Sequence, residues 1–244
     1  MTLVCLLVAL LVSPARAQEP HSPATEAFRA ALARMKSVSD ALTEYEHTFY
    51  KREWIGGSLD ALQVIDVRYR EPWDIYMHWL EGGHAGRELL YRGPDWNGGR
   101  FVIDPGPFLP VLSLSPDSRL ARRRTRHPLH DLPLPVLVDK VVRDALAVAN
   151  SPTLVARVVD DGPAQVRSEP SHCFTTVLPK DQDRSLYANK VKICQDPDTG
   201  MPNAIRVWDE VDGSLQLVEQ YDYIGFRSDP GFTDADLERT TYGL

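Results

Sequence analysis

Turn signals in this chain lie too close together for helical crossovers. Gly56-Gly57, Glu81-Gly82-Gly83, Gly93-Pro94 and Asn97-Gly98-Gly99 punctuate aromatic and β-branched runs near Thr43 to Trp54, Leu62 to Tyr69, Trp73 to Leu80, Arg87 to Tyr91 and Arg100 to Ile103. A connection between parallel strands takes a dozen or more residues, and these gaps are far shorter. The strands are therefore expected to form an antiparallel meander, not a doubly wound parallel sheet. In the first run Tyr45, His47, Phe49 and Lys51 alternate with Glu44, Glu46, Thr48 and Tyr50, the period of a strand with two unlike faces.

Two segments change period. From Ala24 to Leu42 the side chains Phe28, Leu32, Met35, Val38 and Leu42 recur every three or four residues, and from Val136 to Ala149 Val138, Val141, Val142 and Leu146 do the same. Each predicts a helix with one face to bury. Between them, at about 104–135, lies a proline-rich stretch with five arginines and no steady period, read as a long irregular insert. A second strand series is expected near Thr153 to Val159, Gln165 to Ser168, Cys173 to Leu178, Tyr187 to Cys194, Ala204 to Glu210 and Leu215 to Phe226. Neither half has a full core of its own. The expected fold is α+β, a single curved antiparallel sheet wrapped around an N-terminal helix and a central helix, as one domain over 24–244 without internal repeats.

The first residues carry an address. Leu3 to Val12 is an apolar run shorter than the roughly 20 residues that span a bilayer. It ends in Ala15-Arg16-Ala17, the A-x-A pattern of a signal peptide, so 1–17 is expected to be removed and 18–23 to form a tether. Cys5 lies inside the run, not at its end, so the expected product is a soluble exported protein of the periplasm. Processing leaves Cys173 and Cys194, for which a disulfide is the natural state in an oxidising compartment. Two buried thiols remain an alternative, and a redox pair is disfavoured because the spacing is not C-x-x-C. A formal charge of −7, from 34 acidic and 27 basic side chains, argues against nucleic acid as a partner.

Local chemistry is concentrated in three places. Trp73, Tyr76, Trp79, Tyr91, Trp96 and Phe101 gather aromatic surface in the first meander, as core or as the lining of an apolar pocket. Alternation puts Trp73 and Trp79 on one face and Tyr76 on the other. Arg119, Arg122, Arg123, Arg124 and Arg126 invert the charge of an acidic chain, and guanidinium forks suit phosphate or carboxylate. The patch is read as a contact for an anionic membrane surface or headgroup, or as a solvated loop. His127, His130 and Asp131 carry metal-ligand types, yet Pro128 interrupts them, and His78, His84 and Glu88 match no acid–base motif. Asp196, Asp198 and Gly200 suit a hairpin turn at least as well as a calcium loop. No G-x-S-x-G, phosphate loop or dinucleotide fingerprint occurs, so no catalytic residue, metal or cofactor is assigned.

Several segments in order are similar to an exported bacterial family catalogued as domain of unknown function 1571. They are Tyr50-Lys51-Arg52-Glu53, Gly57-Ser58-Leu59, Val67-Arg68-Tyr69-Arg70-Glu71-Pro72-Trp73-Asp74-Ile75-Tyr76-Met77-His78-Trp79-Leu80 and Gly86-Arg87-Glu88-Leu89-Leu90-Tyr91. Asp196-Pro197-Asp198-Thr199-Gly200-Met201-Pro202, Glu219-Gln220-Tyr221-Asp222-Tyr223 and Phe232-Thr233-Asp234-Ala235-Asp236-Leu237 continue the likeness. That family resembles the LolA and LolB carriers and the outer-membrane lipoprotein-sorting proteins. The resemblance implies an incomplete antiparallel β-barrel closed by helices, handling of lipid or lipoprotein acyl chains, and no catalytic set. An envelope interaction module without a ligand cavity is the alternative, and a hydrolase or metalloenzyme a distant third.

Overall fold

The computed structural model of the protein describes residues 22–106, 108–150, 157–178, 180 and 186–244, so the expected leader and most of the tether lie outside the described residues. Helix α1 (Pro23–Asp40) starts where Ser22 accepts the Thr25 N–H at 3.2 Å and Pro23 supplies a fixed first turn. It buries Phe28, Ala31, Leu32 and Met35. The chain then enters a meander of β1 (Glu44–Ile55), β2 (Ser58–Leu59), β3 (Gln63–Arg70), β4 (Asp74–Glu81), β5 (Glu88–Arg92), β6 (Phe101–Asp104) and β7 (Leu112–Leu114). Helices α2 (Arg119–Arg122) and α3 (Leu134–Asn150) follow, and then β8 (Arg157–Val166), β9 (Glu169–Val177), β10 (Lys190–Gln195), β11 (Pro202–Val211) and β12 (Ser214–Ser228).

All the strands join one antiparallel sheet in the order β7-β6-β5-β4-β3-β1-β12-β11-β10-β9-β8, with β2 paired to β1. Two meanders are thus stitched together by β1 and β12, whose register sets Glu53 opposite Glu219. The sheet is open, with β7 and β8 at its two edges. On the inner face α1 and α3 pack against each other over the second meander, where Val138, Val142 and Ala145 join Phe28, Leu32, Phe174 and Ile193 in one cluster. The outer face is covered in part by the C-terminal segment, where Leu237 and Leu244 close over Tyr76, Leu90 and Val102. No described helix is long and apolar enough to cross a membrane.

The α+β antiparallel architecture expected from the turn spacing is the one observed, and three local features differ. The insert is not patternless, because Leu112–Leu114 pairs with Phe101–Ile103 and extends the sheet. The central helix starts at Leu134, since Pro133 and Pro135 fit a first helical turn, whose N–H groups lack partners anyway. Of the runs read as separate strands at 153–159 and 165–168, 153–156 lie outside the described residues, and the rest meet in a single β8 from Arg157 to Val166, in which Gly162 sits at a register shift and Pro163 lies on the sheet's edge strand, where a missing N–H is tolerated.

Cys173 and Cys194 face each other on β9 and β10 and form a disulfide, buried on the outer face with Val166 and Ala204. Closing a loop of this length restricts the unfolded chain. Replacing both cysteines by alanine is expected to cost about 3 kcal/mol in urea unfolding. An unchanged midpoint would mean that the pair adds nothing beyond its packing.

Candidate functional site

The centre of the inner face is ionic. Strand alternation on β1 turns Tyr45, His47, Phe49, Lys51 and Glu53 inward, and Glu53 and Glu219 are each only 2% exposed. Two opposed buried carboxylates repel and each needs its own donors. Glu53 accepts from the Tyr221 hydroxyl at 2.6 Å and the Arg126 backbone N–H at 3.1 Å, with the Lys51 ammonium at 3.1 Å. Glu219 accepts from Arg126 Nε at 2.6 Å and from the Tyr187 hydroxyl, and lies 3.3 Å from His127 Nε2. Burial pushes the Glu219 carboxyl up, but the hydrogen bonds and charge of its partners, His127 foremost, hold it below its ordinary value. The same burial and the neighbouring carboxylates raise the phenols of Tyr221 and Tyr187 well above their usual range.

This cluster fastens the second half of the insert across the sheet as a strap. Thr125 accepts from Lys51 at 3.0 Å, Arg126 bridges both carboxylates, and Leu129 and Leu132 pack into the main core beside it. On each side of the strap lies a cleft. The first, about 470 Å³, is lined by Met77, Trp79, Leu89, Phe101, Ile103, Leu112 and Leu114 of the sheet and by Leu120, Leu129 and Leu132 of the insert after β7. The second, about 460 Å³, runs between Leu137, Val141 and Ala145 of α3 and Leu178, Val191, Ile193, Ile205 and Val207 of the second meander. Both volumes fall within the range of small-molecule sites. Beneath the strap a void of about 30 Å³ is lined by Tyr45, His47, Phe49, Tyr221 and Tyr223.

The six aromatic candidates separate. Trp79 and Phe101 line the first cleft, and the Trp79 Nε1–H is fixed by Gln63 at 2.9 Å. Trp73 and Tyr91 belong to the same inner core but line neither cleft. Tyr76 and Trp96 pack on the outer face, where Tyr76 stacks on Tyr242 with ring centroids 3.8 Å apart. The arginines separate too: Arg123 and Arg124 border the first cleft, Arg122 and Arg126 the second, and Arg119 is exposed and lines neither. Helix α1 lines neither cleft, its apolar face being spent on α3 and the second meander. Asp196 closes a turn, accepting the N–H groups of Asp198 and Thr199 at 2.9 and 2.7 Å.

Glu53 and Glu219 escaped sequence reading. The available signal was Lys51 and Glu53 on the inward period of β1, charges where an apolar residue belongs.

The geometry has counterparts. A family profile described as "Protein of unknown function (DUF1571)" matches residues 42–241. No curated protein matches the chain. Among solved structures, the lipoprotein LppX of Mycobacterium tuberculosis superposes with a TM-score of 0.51 at 11% identity, over 85% of this chain and 98% of that one. A LolA superfamily protein of Nitrosomonas europaea gives 0.40 at 11%, over 87% and 98%. An outer-membrane lipoprotein-sorting protein domain of Vibrio parahaemolyticus gives 0.43 at 8%, over 90% and 100%. At such identities the likeness is one of fold.

Proposed function

The chain belongs to the family described as protein of unknown function (DUF1571), and on that premise we propose that it is an exported, non-enzymatic carrier for lipid or lipoprotein acyl chains. The observation that carries this reading is the pair of apolar clefts, about 470 and 460 Å³, held open between the sheet and the strap. Acyl carbon moved out of water into such a cleft gains about 0.8 kcal/mol per methylene, which for a chain of ordinary length outweighs the ordering costs. Export is supported by the leader pattern ending at Ala17. Phe108, Leu109 and Leu120 stand exposed on the insert that also carries Arg119 and Arg123, a composition suited to brief contact with an anionic bilayer during loading.

Displacement of a fluorescent fatty acid from delipidated protein tests the reading. Leu112→Trp fills the first cleft and Val141→Trp the second, and at least one is expected to weaken binding by about tenfold, or about 1.4 kcal/mol. Trp73→Ala, outside both clefts, should leave affinity unchanged. Absence of binding at micromolar protein would remove the carrier and leave an envelope interaction module in its place.

A further inference from the structure

The two clefts differ in charge. The second is bordered by cations and carboxylates together, Arg126 and Lys140 beside Asp131, Asp144 and Glu219. The first has no carboxylate in its lining, only Lys51, His84, Arg87, Arg123, Arg124 and His127 among its charged or titratable groups. Lys51 is committed to Glu53 and Thr125, and His127 to Glu219 and Tyr187. Arg87, Arg123 and Arg124 form no ion pair among the described residues.

The Arg87 side chain is half-withdrawn from solvent over the Trp79 ring, at 5.6 Å from its centroid, and its buried Nε has no hydrogen-bond partner. The fold imposes this position. The turn from β4 to β5 is pinned by the Trp79 N–H to the Arg87 carbonyl at 2.9 Å and by the Gly86 N–H to the Trp79 carbonyl at 2.8 Å. Gly82 in that turn has a φ of +93°, and a Cβ there would stand 2.6 Å from the Leu62 carbonyl, so only glycine fits. Burial and then the Arg124 charge lower the proton affinity of Arg87, and burial followed by Arg87 and Arg124 does the same to His84 against a weaker opposing pull from Asp60. Cations gathered with so little counter-charge are unfavourable in the empty protein, and an anion relieves them.

We infer that the first cleft takes an amphiphile with an anionic head, its chain between Trp79 and Leu114 and its carboxylate or phosphate held by Arg87 and Arg124 at the mouth, with His84 and Arg123 beside them. The inference rests on the carrier reading and names the ligand class of one of its two clefts. Guanidinium groups bind such heads through paired charge-assisted hydrogen bonds, and the apolar walls recognise the chain.

Calorimetric titration of the full mature chain with laurate, methyl laurate and inorganic phosphate separates the possibilities. Laurate is expected to bind at least about tenfold more tightly than its ester, with the advantage shrinking as salt rises. Arg87→Gln combined with Arg124→Gln should abolish that advantage and leave methyl laurate binding unchanged. If the double variant fails to fold, Arg124→Gln alone carries the test, because Arg124 is exposed. Equal affinity of acid and ester in the wild type, or equal weakening of both in the variant, overturns the anionic-head site while the carrier reading stands. Competition by inorganic phosphate at laurate's own affinity makes it a free-anion site and also overturns it. Failure of laurate and ester alike to bind sinks both readings.

Discussion

Arg126→Ala is expected to lower stability at pH 7 by about 3 kcal/mol, several times the effect of an ordinary surface substitution. In a chain of this size that is a fall in Tm of about 6–12 °C. The reason lies in what the guanidinium holds. Glu219 is buried opposite Glu53, and the Arg126 Nε at 2.6 Å is nearer to it than the imidazole of His127 at 3.3 Å. Without Arg126 the carboxylate keeps its burial and its like-charged neighbour and loses its nearest cation. In the native protein the Glu219 carboxyl lies below its ordinary value, so it adds stability above about pH 4.5 that is lost as the pH falls through the folded value. Losing the Arg126 hydrogen bond raises the carboxyl relative to the native protein, so the deficit should be greatest at neutral pH and shrink in acid. Adding Glu219→Gln to Arg126→Ala should restore much of the loss, and the double-mutant cycle reads their coupling. Arg123→Ala, exposed and unpaired, is the control. A cost as small as that of Arg123→Ala would show that the strap is held by Leu129 and Leu132 alone.

The frame of this molecule was legible in its sequence because it rests on short-range physics. Turn residues at close intervals leave no room for crossovers, and the period of two from Tyr45 to Lys51 marked the strand that became β1. The disulfide followed from two cysteines in a secretory context and is present. The centre of the site was hidden because it depends on a pairing between residues 166 positions apart. Glu53 and Glu219 become opposed only through the register of β1 on β12, a long-range choice that no local pattern states. The strap was hidden for a related reason: its prolines and arginines read as solvated loop, whereas Arg126 turns inward to a charge contributed from the far end of the chain. For the aromatic group, alternation separated Tyr76 from Trp79 as observed, but which of the inward rings would border open space depended on where the strap residues Leu129 and Leu132 came to lie.

His47 makes the second large prediction, a steep loss of stability in mild acid. Its ring is enclosed by Tyr45, Phe49, Tyr223 and Phe226, with centroids 5.1 to 6.3 Å from one another or from the imidazole, and no carboxylate among the described residues pairs with it. The Tyr45 hydroxyl is occupied, accepting the Leu134 N–H at 2.8 Å, and the His47 Nδ1 has no partner. Burial alone therefore drives the imidazole down from 6.5 to about 3. The folded state stays neutral while the unfolded chain takes up a proton below pH 6.5, so the stabilisation is complete above that value and withdrawn as the pH falls toward 3. A proton bound only by the unfolded chain favours unfolding by about 1.4 kcal/mol for every tenfold rise in acidity. The loss between pH 6.5 and pH 5 is thus about 2 kcal/mol, and over the whole window about 4–5. His47→Phe keeps the aromatic packing and removes both the titration and the orphaned nitrogen. Urea unfolding of the two proteins from pH 7 to pH 5 should give curves that diverge as the pH drops, the variant at least equal at pH 7 and ahead by about 2 kcal/mol at pH 5. Parallel curves would mean that the native cage admits an imidazolium, and that some other group carries whatever acid sensitivity the protein has.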